Sequence, residues 1–197
     1  MNVEKADITQ AKDVALLHKK EIPTGFISSL HINVIKKLYE RIINDEILFV
    51  LKDNGKIIGF VSCAMDTGRL YKRFLMKNLF QVLPYFLPKI FSLSFVKKVL
   101  ETLTAPFKTK VEKEKEIPEL LSIVVSSEVQ ARGLGKLLLD ALEEELRKRG
   151  VEEYKVVAGE KLVAANKFYR KNGFELTKQS EIHSGEKSNI YVKTLQH

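Results

Sequence analysis

The apolar positions of this chain switch between a spacing near 3.6 and a spacing near 2, and the switches divide it into elements. Residues 2–8 alternate weakly and predict a short opening strand. Over 10–22, Val14, Leu16 and Leu17 recur near helical spacing, and Pro23-Thr24-Gly25 ends the run. Ser28 or Ser29 is placed to cap a second helix with the apolar stripe Leu30, Val34, Ile35, Leu38 and Ile42. Two β-rich runs follow, ILFVLK and KIIGFVSCA, joined by Asp53-Asn54-Gly55. Asn and Gly tolerate the positive φ that a tight hairpin turn needs.

A regular pattern returns at 117. IPELLSIVV is nearly continuous in apolar residues, as expected of a strand at the centre of a sheet covered on both faces. An amphipathic helix over 133–149 ends at Gly150, YKVVA predicts the next strand, and a helix over 161–172 is closed by Gly173. Two further strands are predicted from Phe174 onward. The order β-α-α-β-β-insertion-β-α-β-α-β-β predicts a mixed α/β fold, a central sheet of about seven strands flanked by helices. At 197 residues the chain suits one domain, 1–197, with a helical insertion at about 65–110 between the third and fourth strands.

That insertion is rich in Leu and Phe, and Pro84 and Pro88 predict its division into two helical pieces. Lys77, Asn78, Gln81, Lys89 and the two prolines interrupt the apolar run, which argues against a membrane span. A charged linker over 108–116 follows it. Charge sharpens the picture. The net charge is +8, yet 65–110 holds nine Lys or Arg against Asp66 and Glu101, so the rest holds 24 against 23 and is nearly neutral. This distribution does not describe a nucleic-acid binder, and no nucleic-acid motif accompanies it. The insertion reads as a helical element packed on the domain or on a second subunit of a homodimer, with membrane-surface contact through 70–104 as the alternative. Cys63 is alone, which excludes an intramolecular disulfide or a multi-cysteine metal site and fits a reducing, cytoplasmic setting. The first ten residues carry no apolar signal-peptide core.

The segment with the most chemistry is SSEVQARGLGK, residues 126–136, which follows the buried strand and opens a helix. Free amides in a helix's first turn, at the positive end of its dipole, receive anionic oxygens. Glycine lets the backbone approach a phosphate closely, and Arg132 and Lys136 add positive charge. A Walker A loop needs glycine at 130 and Ser or Thr at 137, where the chain has Gln130 and Leu137. A dinucleotide fingerprint starting at Gly133 needs a small residue at 138, which is Leu138. A plain glycine turn before a helix stays open on loop chemistry alone.

Gln130-x-x-Gly133-x-Gly135 after SIVV resembles the [RQ]-x-x-G-x-[GA] motif of the GNAT acetyltransferase superfamily, together with the helix LLLDALEEELRKRG. Downstream, ANKFYRKNGF resembles the family's late helix ending Y-x-x-x-G-F. The motifs cover 117–175, the order of elements in 1–64 fits, and the insertion lies outside the resemblance. The resemblance implies an acetyl-CoA-dependent N-acetyltransferase with no metal. Ile123, Val124 and Val125 would lie along the pantetheine arm at a splayed, bulged strand. Gln130, Ala131, Arg132, Gly133, Leu134, Gly135 and Lys136 would hold the pyrophosphate. Tyr169 stands where many members have the tyrosine that protonates the leaving thiolate, and Asn166 is a candidate pantetheine contact. Leu162 stands where an asparagine is frequent, a departure that touches the pantetheine contacts.

The general base is not fixed by the sequence. Glu119, Ser122 and Glu160 are candidates, while His18 and His31, on the early helices, read as structural. The acceptor implied is a primary amine of a small molecule: an amino sugar, amino acid or polyamine. A non-catalytic coenzyme A-binding or membrane-surface module acting through the insertion is the alternative.

Overall fold

In the computed structural model, Asn54 and Gly55 take positive φ, 47° and 79°, and turn β2 (Ile47–Asp53) back onto β3 (Lys56–Ala64). The described residues are 1–25, 27–86, 117–130, 133–183 and 186–196. Their other strands are β1 (Asn2–Lys5), β4 (Glu119–Val125), β5 (Glu153–Gly159), β6 (Glu175–His183) and β7 (Glu186–Thr194). The helices are α1 (Ala11–Glu21), α2 (Ile32–Asp45), α3 (Thr67–Phe86), α4 (Leu134–Lys148) and α5 (Val163–Lys171). The strands form one mixed sheet in the order β1-β2-β3-β4-β5-β7-β6, with β4 at its centre. β4 and β5 run parallel, and every other neighbouring pair is antiparallel.

Strand residues alternate between two cores, as the period-2 pattern requires. Leu48, Val50, Phe60 and Val124 face Val14, Ala15, Val34, Ile35, Leu38, Leu70 and Phe74 of α1, α2 and α3. On the opposite face, Ile47, Leu51, Val61, Leu120, Tyr154, Val156 and Tyr191 meet Leu138, Leu139, Leu142 and Leu146 of α4, with Tyr169 of α5. The sheet is therefore a middle layer, and β4 touches both cores. Among the described residues no helix is long and apolar enough to cross a membrane.

Two sequence expectations change in detail. Ser28 and Ser29 are taken up by a 3-10 turn, Ile27–Ser29, so α2 starts later and His31 caps it, Nδ1 accepting from the Asn33 amide at 3.2 Å. Pro84 does not break its helix. It lies inside α3, where its missing N–H removes one intrahelical bond. Pro88 lies outside the described residues. Leu70, Phe74, Asn78 and Val82, spaced four apart, are the buried stripe of α3. Three residues beyond Val82, Tyr85 stacks on His31 at 4.4 Å and accepts from Asn33 Nδ2 at 2.8 Å. The inserted helix is thus fastened to α2 through Tyr85 as well as through its buried stripe.

Candidate active site

The sheet opens beside β4. β4 pairs with β5 at two positions, Glu119 with Lys155 and Leu120 with Val156, and no further. Both strands continue, β4 to Val125 and β5 to Gly159, each paired on its far side, to β3 and to β7. Two strand edges therefore face one another without a ladder between them, a template for an extended ligand. The divergence has a local cause. Ser62 pairs with Ser122 but Cys63 pairs with Leu120, so Leu121 is an extra residue. Such a bulge bends its strand and increases its twist.

At the far end of β4 the chain passes through a 3-10 turn, Ser127–Val129, and reaches α4. The Gly133 carbonyl accepts from the Lys136 and Leu137 amides at 3.0 and 3.2 Å, and no side chain caps the helix. Helix geometry leaves the earlier amides of that turn without intrahelical acceptors. Gly133 has φ 74°, a conformation that costs a side-chain-bearing residue about 1–2 kcal/mol. Gly135 packs closely under its neighbour: a Cβ there would stand 3.2 Å from Cε2 of Phe168 on α5, a tight contact that the ring would have to yield to. This glycine lets α5 close against the start of α4, in addition to any approach of a ligand.

Side chains hold the turn in place. Gln130 Nε2 donates to the Val125 carbonyl at 3.2 Å, tying the loop back to β4. The Ser126 and Ser127 hydroxyls donate to Glu21 at 3.4 and 3.3 Å, and Lys20 pairs with Glu128 at 2.7 Å, joining the turn to the end of α1. Lys136 is exposed and paired with Asp140. Ala131 and Arg132 lie outside the described residues. Ile123 and Val125 project toward the α4 core and Val124 toward the α1–α2 core, so what all three offer to the gap is backbone.

Tyr169 and Asn166 lie on the face of α5 that meets the sheet. Tyr169 is 6% exposed, ringed by Phe168, Phe174 and Tyr191 at 5.4–6.0 Å between centroids. Burial pushes its phenol well above the ordinary value, which keeps the hydroxyl protonated. Asn166 is engaged at both ends. Its Nδ2 donates to the carbonyls of Leu162, Gly159 and Glu160 at 2.7, 2.9 and 3.3 Å. Its Oδ1 accepts from Asn189 Nδ2 at 2.8 Å and Tyr191 Oη at 2.9 Å. A contact from this side chain to a ligand has to replace one of these bonds.

Where β4 and β5 still touch, charged and phenolic groups collect. The Glu119 side chain is 19% exposed, 3.7 Å from Lys155 Nζ, and accepts from Thr67 Oγ1 at 3.3 Å. Burial raises its pKa above the usual carboxylate range, with Lys155 and Thr67 opposing the shift. Tyr71, one turn along α3, faces the same carboxylate and is itself pushed up by burial. Sequence reasoning had Glu119 as one candidate among several; Thr67, Tyr71 and Lys155 it missed, since only the fold brings α3, β4 and β5 together. Glu160 is exposed and borders an open depression of about 640 Å³ on the flank of α5, with Lys167, Arg170, Lys171 and Gln179. Among the described residues, none of β4 and none of the glycine loop lines that depression.

A family model described as the acetyltransferase (GNAT) family matches residues 18–174. No curated protein matches the sequence significantly. Solved structures do match the fold. Ard1 from Thermoplasma volcanium is 12% identical with a TM-score of 0.64, over 100% of this chain and 98% of that one. An aminoglycoside 6'-acetyltransferase type Ii is 15% identical with a TM-score of 0.64, over 100% and 99%. A chain from the NatC complex bound to Gag peptide and CoA is 12% identical with a TM-score of 0.61, over 99% and 98%.

Proposed function

The chain belongs to the acetyltransferase (GNAT) family, and on that premise we propose that it transfers the acetyl group of acetyl-CoA to a primary amine of a small molecule, of the amino sugar, amino acid or polyamine class. The observation that carries the proposal is the unpaired gap between β4 and β5, continuous with the uncapped start of α4. An extended chain carrying amides at one end and a pyrophosphate at the other fits both parts. The backbone of Ile123, Val124 and Val125 pairs with the pantetheine amides as a neighbouring strand would. Gln130 sets the loop, and the stretch Ala131, Arg132, Gly133, Leu134, Gly135 and Lys136 receives the pyrophosphate on its amides and positive charge. Asn166 serves this site from behind, fixing the start of α5 against β5 and β7.

Acetyl-CoA supplies a thioester already activated for acyl transfer, so the protein's task is positioning and proton management. A nitrogen–carbon bond forms, the carbon–sulfur bond breaks, and the nitrogen sheds a proton. Glu119 takes that proton, and a carboxyl raised toward neutral pH suits this role. Tyr169 donates its hydroxyl to the departing sulfur, its raised pKa holding the proton until negative charge develops there. The wall that α3 builds beside Glu119, through Thr67 and Tyr71, favours a small acceptor. Calorimetry with acetyl-CoA, then an amine screen followed by thiol release, tests the proposal. Saturable binding and amine-dependent release are expected; no heat and no thermal shift with acetyl-CoA would overturn it.

A second reading has one observation in its favour. α3 exposes Arg69, Lys72, Arg73, Lys77 and Met76 together, a face suited to an anionic membrane surface. Binding to anionic vesicles that is lost in Lys72→Glu/Lys77→Glu, with turnover intact, would support surface contact as an added property.

A further inference from the structure

The inserted helix reaches the candidate base through its first residue. Asp66 starts α3, its side chain accepting from the Arg69 amide at 2.7 Å and its carbonyl from the Leu70 amide at 3.0 Å. Just before it, the buried Glu46 accepts from the Met65 amide at 2.7 Å. Two carboxylates therefore pin the corner between β3 and α3. From this corner Thr67 Oγ1 donates to Oε2 of Glu119 at 3.3 Å. Lys155 of β5 comes to the same oxygen, its Nζ 3.7 Å from Oε2. Glu119 and Lys155 stand opposite each other on one of the two rungs that join β4 to β5, immediately before the strands part. Both partners take Oε2, so Oε1 is the oxygen that these two leave to another group.

As stabilisers of the fold the two contacts are weak. The ion pair is long and Lys155 is 35% exposed, so it adds little to folding. Their effect on a mostly buried carboxylate is larger: burial raises Glu119, while the Lys155 charge and the Thr67 hydroxyl both favour its ionised form. The other titratable groups around it, Tyr71 of α3 and Cys63 of β3, are raised by burial and neutral at pH 7. We propose that Lys155 and Thr67 are positioning residues that hold Oε2 of Glu119 so that Oε1 takes the proton of the incoming amine. The nitrogen lone pair forms the bond to the thioester carbon, the N–H proton passes to Oε1, and the carbon–sulfur electrons leave with sulfur. Through Thr67 the insertion thus takes part in the reaction, in addition to walling the site. This inference rests on the acyl-transfer reading, with Glu119 as its base.

The test compares Lys155→Met, Thr67→Val, Lys155→Arg and Thr67→Ser in the full chain. The ionisation of Glu119 is read without any acceptor, from its side-chain carboxyl carbon shift against pH, the resonance being identified by its loss in Glu119→Gln. Turnover is followed by thiol release with glucosamine, lysine and spermidine as the first acceptors, alongside acetyl-CoA calorimetry and thermal melts. Lys155→Met is expected to move the Glu119 midpoint up by about one pH unit, Thr67→Val by less, and the acid limb of kcat should move with it. Above that limb kcat should still be lower by about tenfold in each, with acetyl-CoA affinity kept. Lys155→Arg and Thr67→Ser should recover most of both losses. A Glu119 midpoint unmoved in both Lys155→Met and Thr67→Val, or kcat losses that follow losses of Tm with the acid limb in place, would overturn the positioning role. Acetyl-CoA binding with Glu119→Gln as active as wild type would overturn Glu119 as the base, and this inference, while leaving the coenzyme site standing. A wild-type protein that binds no acetyl-CoA would instead overturn the acyl-transfer reading itself.

Discussion

The two sides of β4 are built from different materials. Toward α4 and α5 the site is backbone: an unpaired strand edge, a bulge, and an uncapped helix start reached through Gly133. Toward α1, α2 and α3 it is side chains: the titratable His18, Tyr39, Tyr71 and Glu119, and the hydroxyl of Ser122. Backbone amides suit a ligand that is the same in every turnover and is recognised by shape and phosphate charge. Side chains suit the partner that varies, and the proton that must be moved. The two halves should therefore fail separately.

Glu119→Gln separates them most sharply. It is expected to lower kcat by about a hundredfold or more with acetyl-CoA affinity unchanged, read by thiol release and calorimetry. The wild-type kcat should also fall as pH drops through an acid limb lying above the ordinary carboxylate range, because burial raises Glu119 and its protonated form cannot accept a proton. That limb should vanish in the variant. Asn166→Ala removes the acceptor shared by Asn189 and Tyr191, and a loss of about 1–3 kcal/mol in urea unfolding is expected. Gly133→Val acts on the backbone side: at φ 74° a β-branched residue strains the turn, and acetyl-CoA should bind about tenfold more weakly with kcat at saturation preserved. The mildest effect belongs to His18. Its pKa is near 6.5 unfolded and about 4 folded, so between these values the unfolded state binds more protons. The stability it confers is complete above pH 6.5 and is lost as pH falls toward 4, with a slope of up to about 1.4 kcal/mol per pH unit. Urea titrations at several pH values should show that slope reduced in His18→Gln.

The same division explains what could be read in advance. On the backbone half, the strand, the glycine turn and the helix start were legible because they lie next to one another in sequence, and α4 does begin directly after Gly133. The hairpin at Asn54-Gly55 was legible for the same reason. The side-chain half was not. His18, Tyr39, Tyr71 and Ser122 are separated by 21, 32 and 51 positions along the chain, and nothing in their local patterns marks them as neighbours. A histidine on a helix and a serine in a strand look ordinary until three elements pack. Asn166 shows a further limit: its place in the late-helix motif suggested a pantetheine contact, and nothing in the local sequence announced the bonds its side chain makes to β5, the start of α5 and β7. Pro84 marks no break within α3, whose helix carries it to Phe86, and Pro88 lies outside the described residues.

The central claim, that the ligand lies in the β4–β5 gap with its phosphates on the start of α4, is open to one direct measurement. Acetyl-CoA titrated into isotope-labelled protein, with backbone amide shifts followed by NMR, should perturb Gly133, Leu134 and Gly135 together with residues 121–125. Perturbations confined to Lys167, Arg170 and Lys171 on the outer flank of α5, with the α4 start and β4 unmoved, would contradict it.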